Sequence, residues 1–76
     1  MYMARLNIGN NITYVLRESI PSGKTLIHQT LFDLGPFPGA WINYPGGNAW
    51  YVDENLEATV SVACRNFDPD ALEELF

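Results

Sequence analysis

Residues 11–35, NITYVLRESIPSGKTLIHQTLFDLG, decide the fold of this chain. Residues 11–19 alternate along the chain with a period of two, as a half-buried β-strand does. Residues 20–24 contain a proline that presets φ and a glycine that accepts positive φ, which predicts a short turn with a G1-type bulge. Residues 25–34 are rich in Thr, Leu, Ile and Phe and contain no Gly or Pro. The segment therefore predicts an antiparallel β-hairpin.

The second strand of this hairpin does not show one clean apolar face. Leu26, Phe32 and Leu34 share one parity, whereas Ile27 and Leu31 share the other. Two explanations remain open for such a pattern. Either both faces of the strand are buried, or a bulge reverses the alternation midway.

A second, shorter hairpin follows the first. Residues 35–39, GPFPG, cannot continue a ladder, because proline lacks an N–H donor and glycine loosens the backbone. Residues 40–44 and 49–53 then flank the turn-rich quartet PGGN at 45–48. Two short segments around such a quartet predict a hairpin.

Residues 53–65 fit two secondary structures. As a strand, they alternate Leu, Ala, Val, Val and Cys with polar or small residues. As a helix, they have Asp53 as N-cap, Glu54 and Glu57 in the positive first turn, and Arg65 at the negative end. The capping residue and the order of charges favour the helix, against a β-branched run at 59–62.

The last segment begins with a helix-start signal. Asp68 can cap a helix, and Pro69 occupies its first position. Leu72, Leu75 and Phe76 form an apolar stripe, but no Gly or Lys ends the helix. This ending indicates either that the natural chain continues past Phe76 or that the helix docks on a partner.

Together these elements predict a single α+β domain spanning residues 1–76. We expect a small antiparallel sheet of two β-hairpins, about four strands, in one twisted or barrel-like layer. One or two C-terminal helices would cover its apolar face. The length supports this, since 76 residues can build one hydrophobic core but not two.

Composition argues against most catalytic and metal-binding classes. Cys64 is the only cysteine and His28 the only histidine, so neither a disulfide nor a Cys/His zinc site can form within the chain. A Cys64–His28 nucleophile and base would need the two side chains in contact. The simpler interpretation has Cys64 packed as a small hydrophobe. We therefore predict a non-enzymatic protein with no catalytic residue, no metal and no cofactor, and no small-molecule substrate is evident.

Cellular location follows from the same composition. No apolar run approaches the length needed to cross a bilayer, and residues 1–10 lack the apolar stretch of a secretory signal. The single free cysteine suits a reducing compartment. We expect a cytoplasmic protein without a membrane span.

Charge is distributed unevenly and weighs against nucleic-acid binding. The net charge is −5, and the acidic residues concentrate after residue 46. Binding to a polyanion normally requires clustered Lys and Arg. The candidate contacts are the few cationic side chains near the first hairpin: Arg5, Arg17, Lys24 and His28.

An aromatic cluster is the most informative feature for function. Five aromatic residues lie between positions 37 and 51, more than a short hairpin can bury in so small a domain. They either form the core or leave apolar surface for a partner. The candidate interface combines this cluster with the C-terminal stripe: Trp41, Tyr44, Trp50, Tyr51, Leu72, Leu75 and Phe76. We expect self-association, most simply as a homodimer.

Residues 12–35 carry a family resemblance. The segment Tyr14-Val15-Leu16-Arg17-Glu18-Ser19, then Gly23-Lys24, Gln29-Thr30-Leu31 and Leu34-Gly35, resembles the N-terminal β-hairpin domain that precedes the catalytic part of IS4-like DDE transposases. Such domains have a basic second strand, where this chain has Leu26-Ile27-His28. The resemblance implies a hairpin module and, as an alternative function, a nucleic-acid accessory domain. It carries over no catalytic residue, because the transposase carboxylates belong to a separate domain.

Overall fold

The computed structural model describes residues 1–76 as an α+β domain, which confirms the predicted fold class. Five strands form two antiparallel sheets, β1-β2-β3 and β4-β5, and two helices follow. The sequence predicted one layer of about four strands, whereas the structure has five strands in two separate sheets. The elements are β1 Tyr2–Ile8, β2 Asn11–Ser22, β3 Thr25–Gly35, a 3₁₀ turn Pro38–Trp41, β4 Ile42–Gly46, β5 Ala49–Val52, α1 Glu54–Ala63 and α2 Pro69–Glu74.

Strand β1 is the additional strand. It pairs with β2 in an unbroken antiparallel register from Tyr2 opposite Arg17 to Ile8 opposite Asn11. A two-residue turn connects them, with Gly9 at a φ of 61°. Glycine at the first turn position matches the type II′ turns that fit twisted hairpins. The alternation of residues 2–8 and the Gly-Asn turn were therefore readable signals for this strand.

The predicted β2–β3 hairpin is present and longer than expected. Its turn is a two-residue Gly23-Lys24 connection closed by Ser22 opposite Thr25, rather than a G1-type bulge. Gly23 has a φ of 61°, and this left-handed conformation favours glycine. Pro21 lies inside β2 instead of ending it.

Strand β3 changes register twice, which confirms the bulge alternative. Val15 faces Asp33 while Tyr14 faces Gly35, so Leu34 is the extra residue. Leu16 faces Phe32 while Arg17 faces Thr30, so Leu31 is a second extra residue. Leu31 and Leu34 are both buried, because the bulges turn these leucines into the core.

The second hairpin, β4–β5, is also confirmed. Ile42 pairs with Val52, and the register shifts before the turn at Gly47 and Asn48. The hairpin is held to the rest of the chain near its base. The Trp41 indole N–H donates to the Leu34 carbonyl at 2.8 Å, and the Asp53 N–H donates to the Trp41 carbonyl at 2.8 Å.

Residues 54–63 are helical, as the capping and charge order indicated. The Asp53 side chain accepts hydrogen bonds from the backbone N–H groups of Asn55 and Leu56. Leu56 and Val60 are fully buried on one stripe of this helix. Tertiary packing of that stripe outweighs the lower helix propensity of the β-branched run.

The short helix α2 starts as predicted, with the Asp68 side chain accepting from the Asp70 N–H. Both helices lie on the same side of the three-stranded sheet, where their apolar residues meet β2 and β3. The core cluster comprises Leu16, Leu31, Leu34, Val52, Leu56, Val60, Cys64 and Leu72. We call the covered side of the sheet the helix-side face and the other side the open face.

Candidate interaction surface

The C-terminal stripe is largely part of the protein's own core. Leu72 is 1% exposed and packs in the core cluster, so its assignment to an interface was wrong. Leu75 and Phe76 are half-buried and pack against that cluster. In so small a domain, the only apolar surface that a two-turn helix can cover is the core itself, which explains the error.

Trp41 is likewise occupied within the chain. Besides its bond to the Leu34 carbonyl, its ring meets Phe32 edge to face, with centroids 5.0 Å apart and an interplanar angle of 86°. This geometry is favourable for an aromatic pair. Trp41 therefore joins the two hairpins and presents little free surface.

The remaining aromatic candidates stay accessible. Tyr44 is 76% exposed, Trp50 41% and Tyr51 43%. Trp50 has the same parity as the buried Val52, while Tyr51 lies on the opposite face of the β4–β5 hairpin. Both faces of this hairpin thus present aromatic surface, and we call the three residues the aromatic hairpin.

The four candidate nucleic-acid contacts are not gathered on one face. Met3 pairs with the core residue Leu16, so Arg5, two positions further along β1, lies on the helix-side face. Arg17 and His28 lie on the open face, and Lys24 is in the β2–β3 turn. The structure brings Arg17 and His28 to one face and separates Arg5 from them.

His28 and Cys64 do not meet. The His28 Nδ1 atom lies 2.7 Å from the Tyr2 hydroxyl and 3.2 Å from the Ser19 hydroxyl on the open face. Cys64 instead lies against Glu18, with its thiol donating to a carboxylate oxygen at 3.3 Å on the helix-side face. The sheet separates the two groups, so the nucleophile and base pairing has no geometric basis.

Glu18 is a buried carboxylate that sequence reasoning did not single out. Besides the Cys64 thiol, its oxygens accept from the Arg65 backbone N–H at 3.2 and 3.3 Å. Glu18 thereby joins β2 to the end of α1. Burial, followed by the hydrogen bond to Glu18, raises the pKa of the Cys64 thiol above 9.0. This favours the protonated, weakly nucleophilic form.

The open face is lined by polar cross-strand contacts. The Thr13 hydroxyl donates to Asp33 at 2.8 Å, and the Arg17 guanidinium donates to the Thr30 hydroxyl at 3.3 Å. The Gly35 backbone N–H, together with the Thr13 hydroxyl, lowers the pKa of Asp33 below 3.8. These contacts occupy the polar groups of this face with one another.

Two shallow clefts share the exposed ring of Phe37 and its neighbour Pro36. One, of about 550 Å³, extends along the β1–β2 turn to Tyr14, and the other, of about 320 Å³, reaches Trp41 and Asp53. The Asp53 carboxylate already accepts two N–H groups of α1. The lining of the first cleft includes the polar residues Asn10, Asn11 and Thr13, whereas the second is lined mainly by apolar residues. Neither brings together a set of reactive groups.

A further exposed apolar feature is the far part of the β2–β3 hairpin, residues 19–30, which we call the arm. Leu26 is 58% exposed and Ile27 53% exposed, and no residue of the arm is buried. Sequence reasoning treated this segment as an ordinary hairpin. Apolar side chains of both parities, next to a proline inside the strand, were the signals for it.

Comparison with protein-family models, with curated proteins and with solved structures gave no match to this chain. Neither helix is long and apolar enough to cross a bilayer.

Proposed function

We propose that this chain is a small, non-enzymatic protein-interaction module that self-associates. The proposal rests on the number of large apolar residues that the fold leaves exposed. Nine hydrophobic residues are buried, and nine large hydrophobic residues are exposed. The exposed set is Ile8, Ile12, Leu26, Ile27, Phe37, Tyr44, Trp50, Tyr51 and Val62. Single exposed apolar residues are ordinary, but so many on 76 residues are typical of interaction surfaces.

Five of these nine residues fall into two groups. Leu26 and Ile27 belong to the arm, and Tyr44, Trp50 and Tyr51 form the aromatic hairpin. Tyr and Trp are enriched at the centres of protein interfaces, because they supply large contact areas at low conformational cost. A second copy of the chain is the simplest partner, since oligomers of identical subunits are common.

The chemistry of the polar groups supports a non-catalytic role. Cys64, the one thiol, is buried and its pKa is raised, whereas the one imidazole is engaged by Tyr2 and Ser19. The free cysteine also suits a reducing compartment such as the cytoplasm, where we place this protein.

Sedimentation equilibrium over a wide concentration range tests the proposal. We expect the average mass to rise with concentration from that of a monomer, 8.6 kDa, towards twice that value. Acrylamide quenching of tryptophan fluorescence at each concentration reports whether Trp50 becomes covered. A constant monomer mass at the highest soluble concentration would contradict self-association.

The same sample addresses the nucleic-acid alternative. Anisotropy of a labelled DNA duplex at low salt would rise if the chain bound phosphates, and the signal would fall steeply with added salt. We expect no such rise, because Arg5 faces away from Arg17 and His28. Salt-sensitive binding by a chain that stays monomeric would favour the accessory role over self-association.

A further inference from the structure

The arm extends beyond the part of the sheet that β1 supports. The β1–β2 ladder ends with Tyr2 opposite Arg17, so β2 has a neighbour on only one side from Glu18 onward. Glu18 itself is buried, but the arm beyond it, residues 19–30, holds no buried residue. Isolated hairpins are marginally stable in water and gain stability from a third strand or from packing.

The two edges of the arm differ in how they could pair with a further strand. The β2 edge contains Pro21, which has no N–H to donate, and proline is one of the devices that block sheet edges. The β3 edge over residues 25–30, TLIHQT, has no proline and no Asp, Glu, Lys or Arg. Its bulges begin only at Leu31. Only the β3 edge is open to a partner strand.

The register shows which backbone groups that edge presents. Ser22 and Thr25 close the two-residue turn as a hydrogen-bonded pair, so the next pair, Pro21 and Leu26, is non-hydrogen-bonded. The missing N–H of Pro21 fits this assignment. Because hydrogen-bonded positions alternate along a strand, the N–H and C=O groups of Leu26 and His28 point outward from β3.

The side chains select a register centred on Ile27. Ile20 pairs with Ile27, and both lie on the helix-side face, since Ile20 follows Leu16 and Glu18 at even spacing. An antiparallel neighbour centred on Ile27 would place Ile20, Ile27, the partner's Ile27 and the partner's Ile20 in one row across four strands. Leu26 would then exchange two backbone hydrogen bonds with the partner's His28.

Neighbouring registers are poorer. Centring the pair on His28 sets two imidazoles opposite each other and breaks the isoleucine row. Centring it on Leu26 places Lys24 opposite the partner's His28. Only the Ile27 register aligns apolar with apolar side chains on the helix-side face and leaves no like charges opposed.

We propose that two copies of this chain pair through the β3 edges of their arms, antiparallel and centred on Ile27. This inference rests on the proposed self-association and names its interface. The result is one continuous six-stranded sheet whose two-fold axis is perpendicular to the sheet. Such an axis keeps the helices of both copies on the same side. The contact is self-complementary, as an isologous dimer requires, and it follows the β-strand addition mode of recognition.

The first test blocks the outward backbone donor. Leu26→Pro removes an N–H that no strand of the same chain uses, so the β2–β3 ladder is kept. Leu26→Thr is the matched control, because it retains the N–H and a β-forming side chain. Two interchain hydrogen bonds are lost per dimer with proline, and we expect the dissociation constant to rise about 10- to 100-fold. With threonine we expect a change within about threefold. Circular dichroism checks that both variants fold.

The second test uses disulfide crosslinking to determine the register between the β3 strands of the two copies. Cα atoms in a non-hydrogen-bonded pair lie about 4.5 Å apart, within the range that a disulfide spans. Ile27→Cys should therefore form a covalent dimer on mild oxidation. Thr25→Cys is the control, since its copy lies roughly 13 Å further along the partner strand in this register. The buried Cys64 stays reduced in both, and the unmodified chain shows its background.

The outcomes separate the inference from the function on which it rests. A monomer at every concentration overturns both. A dimer that keeps its affinity in Leu26→Pro and does not crosslink through Ile27→Cys overturns the arm interface, while self-association stands. Loss of that dimer in a Trp50→Ser variant would then assign it to the aromatic hairpin. Faster crosslinking through Thr25→Cys than through Ile27→Cys overturns the register.

Discussion

Replacing the buried Glu18 with alanine should destabilise the fold through its acceptor oxygens. The carboxylate is 7% exposed and receives the Arg65 backbone N–H and the Cys64 thiol. Alanine leaves both donors without a partner where β2 meets the end of α1. The Glu18→Gln variant keeps the size of the side chain and one acceptor oxygen for the Arg65 N–H. The pair of variants therefore separates the hydrogen bond from the charge.

The magnitude follows from the contacts. A hydrogen bond to a charged group contributes about 1.5–3 kcal/mol, and the weaker thiol bond adds less than about 1 kcal/mol. Removing a carboxylate from a buried site offsets part of this, because its desolvation cost disappears. We expect Glu18→Ala to lose about 2 kcal/mol of the free energy of unfolding. A domain of this size has roughly 4–11 kcal/mol in total, so the loss is large. Glu18→Gln should lose less than about 1 kcal/mol.

Urea unfolding followed by circular dichroism measures these changes. With a slope near 1 kcal/mol per M, Glu18→Ala should lower the midpoint by about 2 M, and thermal unfolding should shift down by roughly 8–16 °C. All variants are compared at one low protein concentration, so that self-association affects them equally. A free energy of unfolding for Glu18→Ala within about 0.5 kcal/mol of the parent would refute a stabilising role for these acceptor oxygens. Equal destabilisation in Glu18→Gln and Glu18→Ala would refute it as well, since charge rather than an acceptor oxygen would then be responsible.

Three further measurements test other parts of the structure. Asp53→Ala removes the cap that accepts two N–H groups of α1 and should cost about 1 kcal/mol in urea unfolding, whereas Asp53→Asn should cost less. The lowered pKa of Asp33 means that its contribution to stability is present above pH 3.8 and is lost as the pH falls through the folded-state value. Asp33→Asn should reduce the loss of stability as the pH falls through this range. An unchanged pH dependence would show that Asp33 is not its source. The raised pKa of Cys64 means that its contribution is complete below pH 9.0 and is lost as the pH rises through the folded-state value. Thiol labelling of the native chain should be at least about tenfold slower than in urea, and equal rates would show that Cys64 is accessible.

The candidate surface was only partly readable from the sequence. The excess of aromatic residues identified Tyr44, Trp50 and Tyr51, which are exposed. It also selected Trp41, which instead bonds to the Leu34 carbonyl and packs against Phe32 within the chain. Composition shows how much apolar surface the chain carries. It does not show which side chains find partners inside the fold, because those partners are distant in sequence.

Buried polar contacts were the least predictable part of the site. Glu18 lies in a period-two strand where a charged residue usually faces water, yet it is buried by residues 46 and 47 positions further along the chain. Local patterns contain no information about such distant donors. The same limit applies to His28, whose partners Tyr2 and Ser19 depend on the strand register.

Local sequence patterns predicted most of the secondary structure: two hairpins, a helix capped by Asp53 and a second helix that starts at Pro69. Strand β1 was missed. These features depend on turn residues, alternation and caps, which act over a few neighbouring positions. The folded chain was needed to show that the strands form two sheets, that Leu31 and Leu34 bulge into the core and that Leu72 is buried there. It was also needed to show that the arm extends past β1 with one open edge. Packing sets these outcomes, because the free energy of burying apolar surface depends on every element that meets at the core and on no single segment.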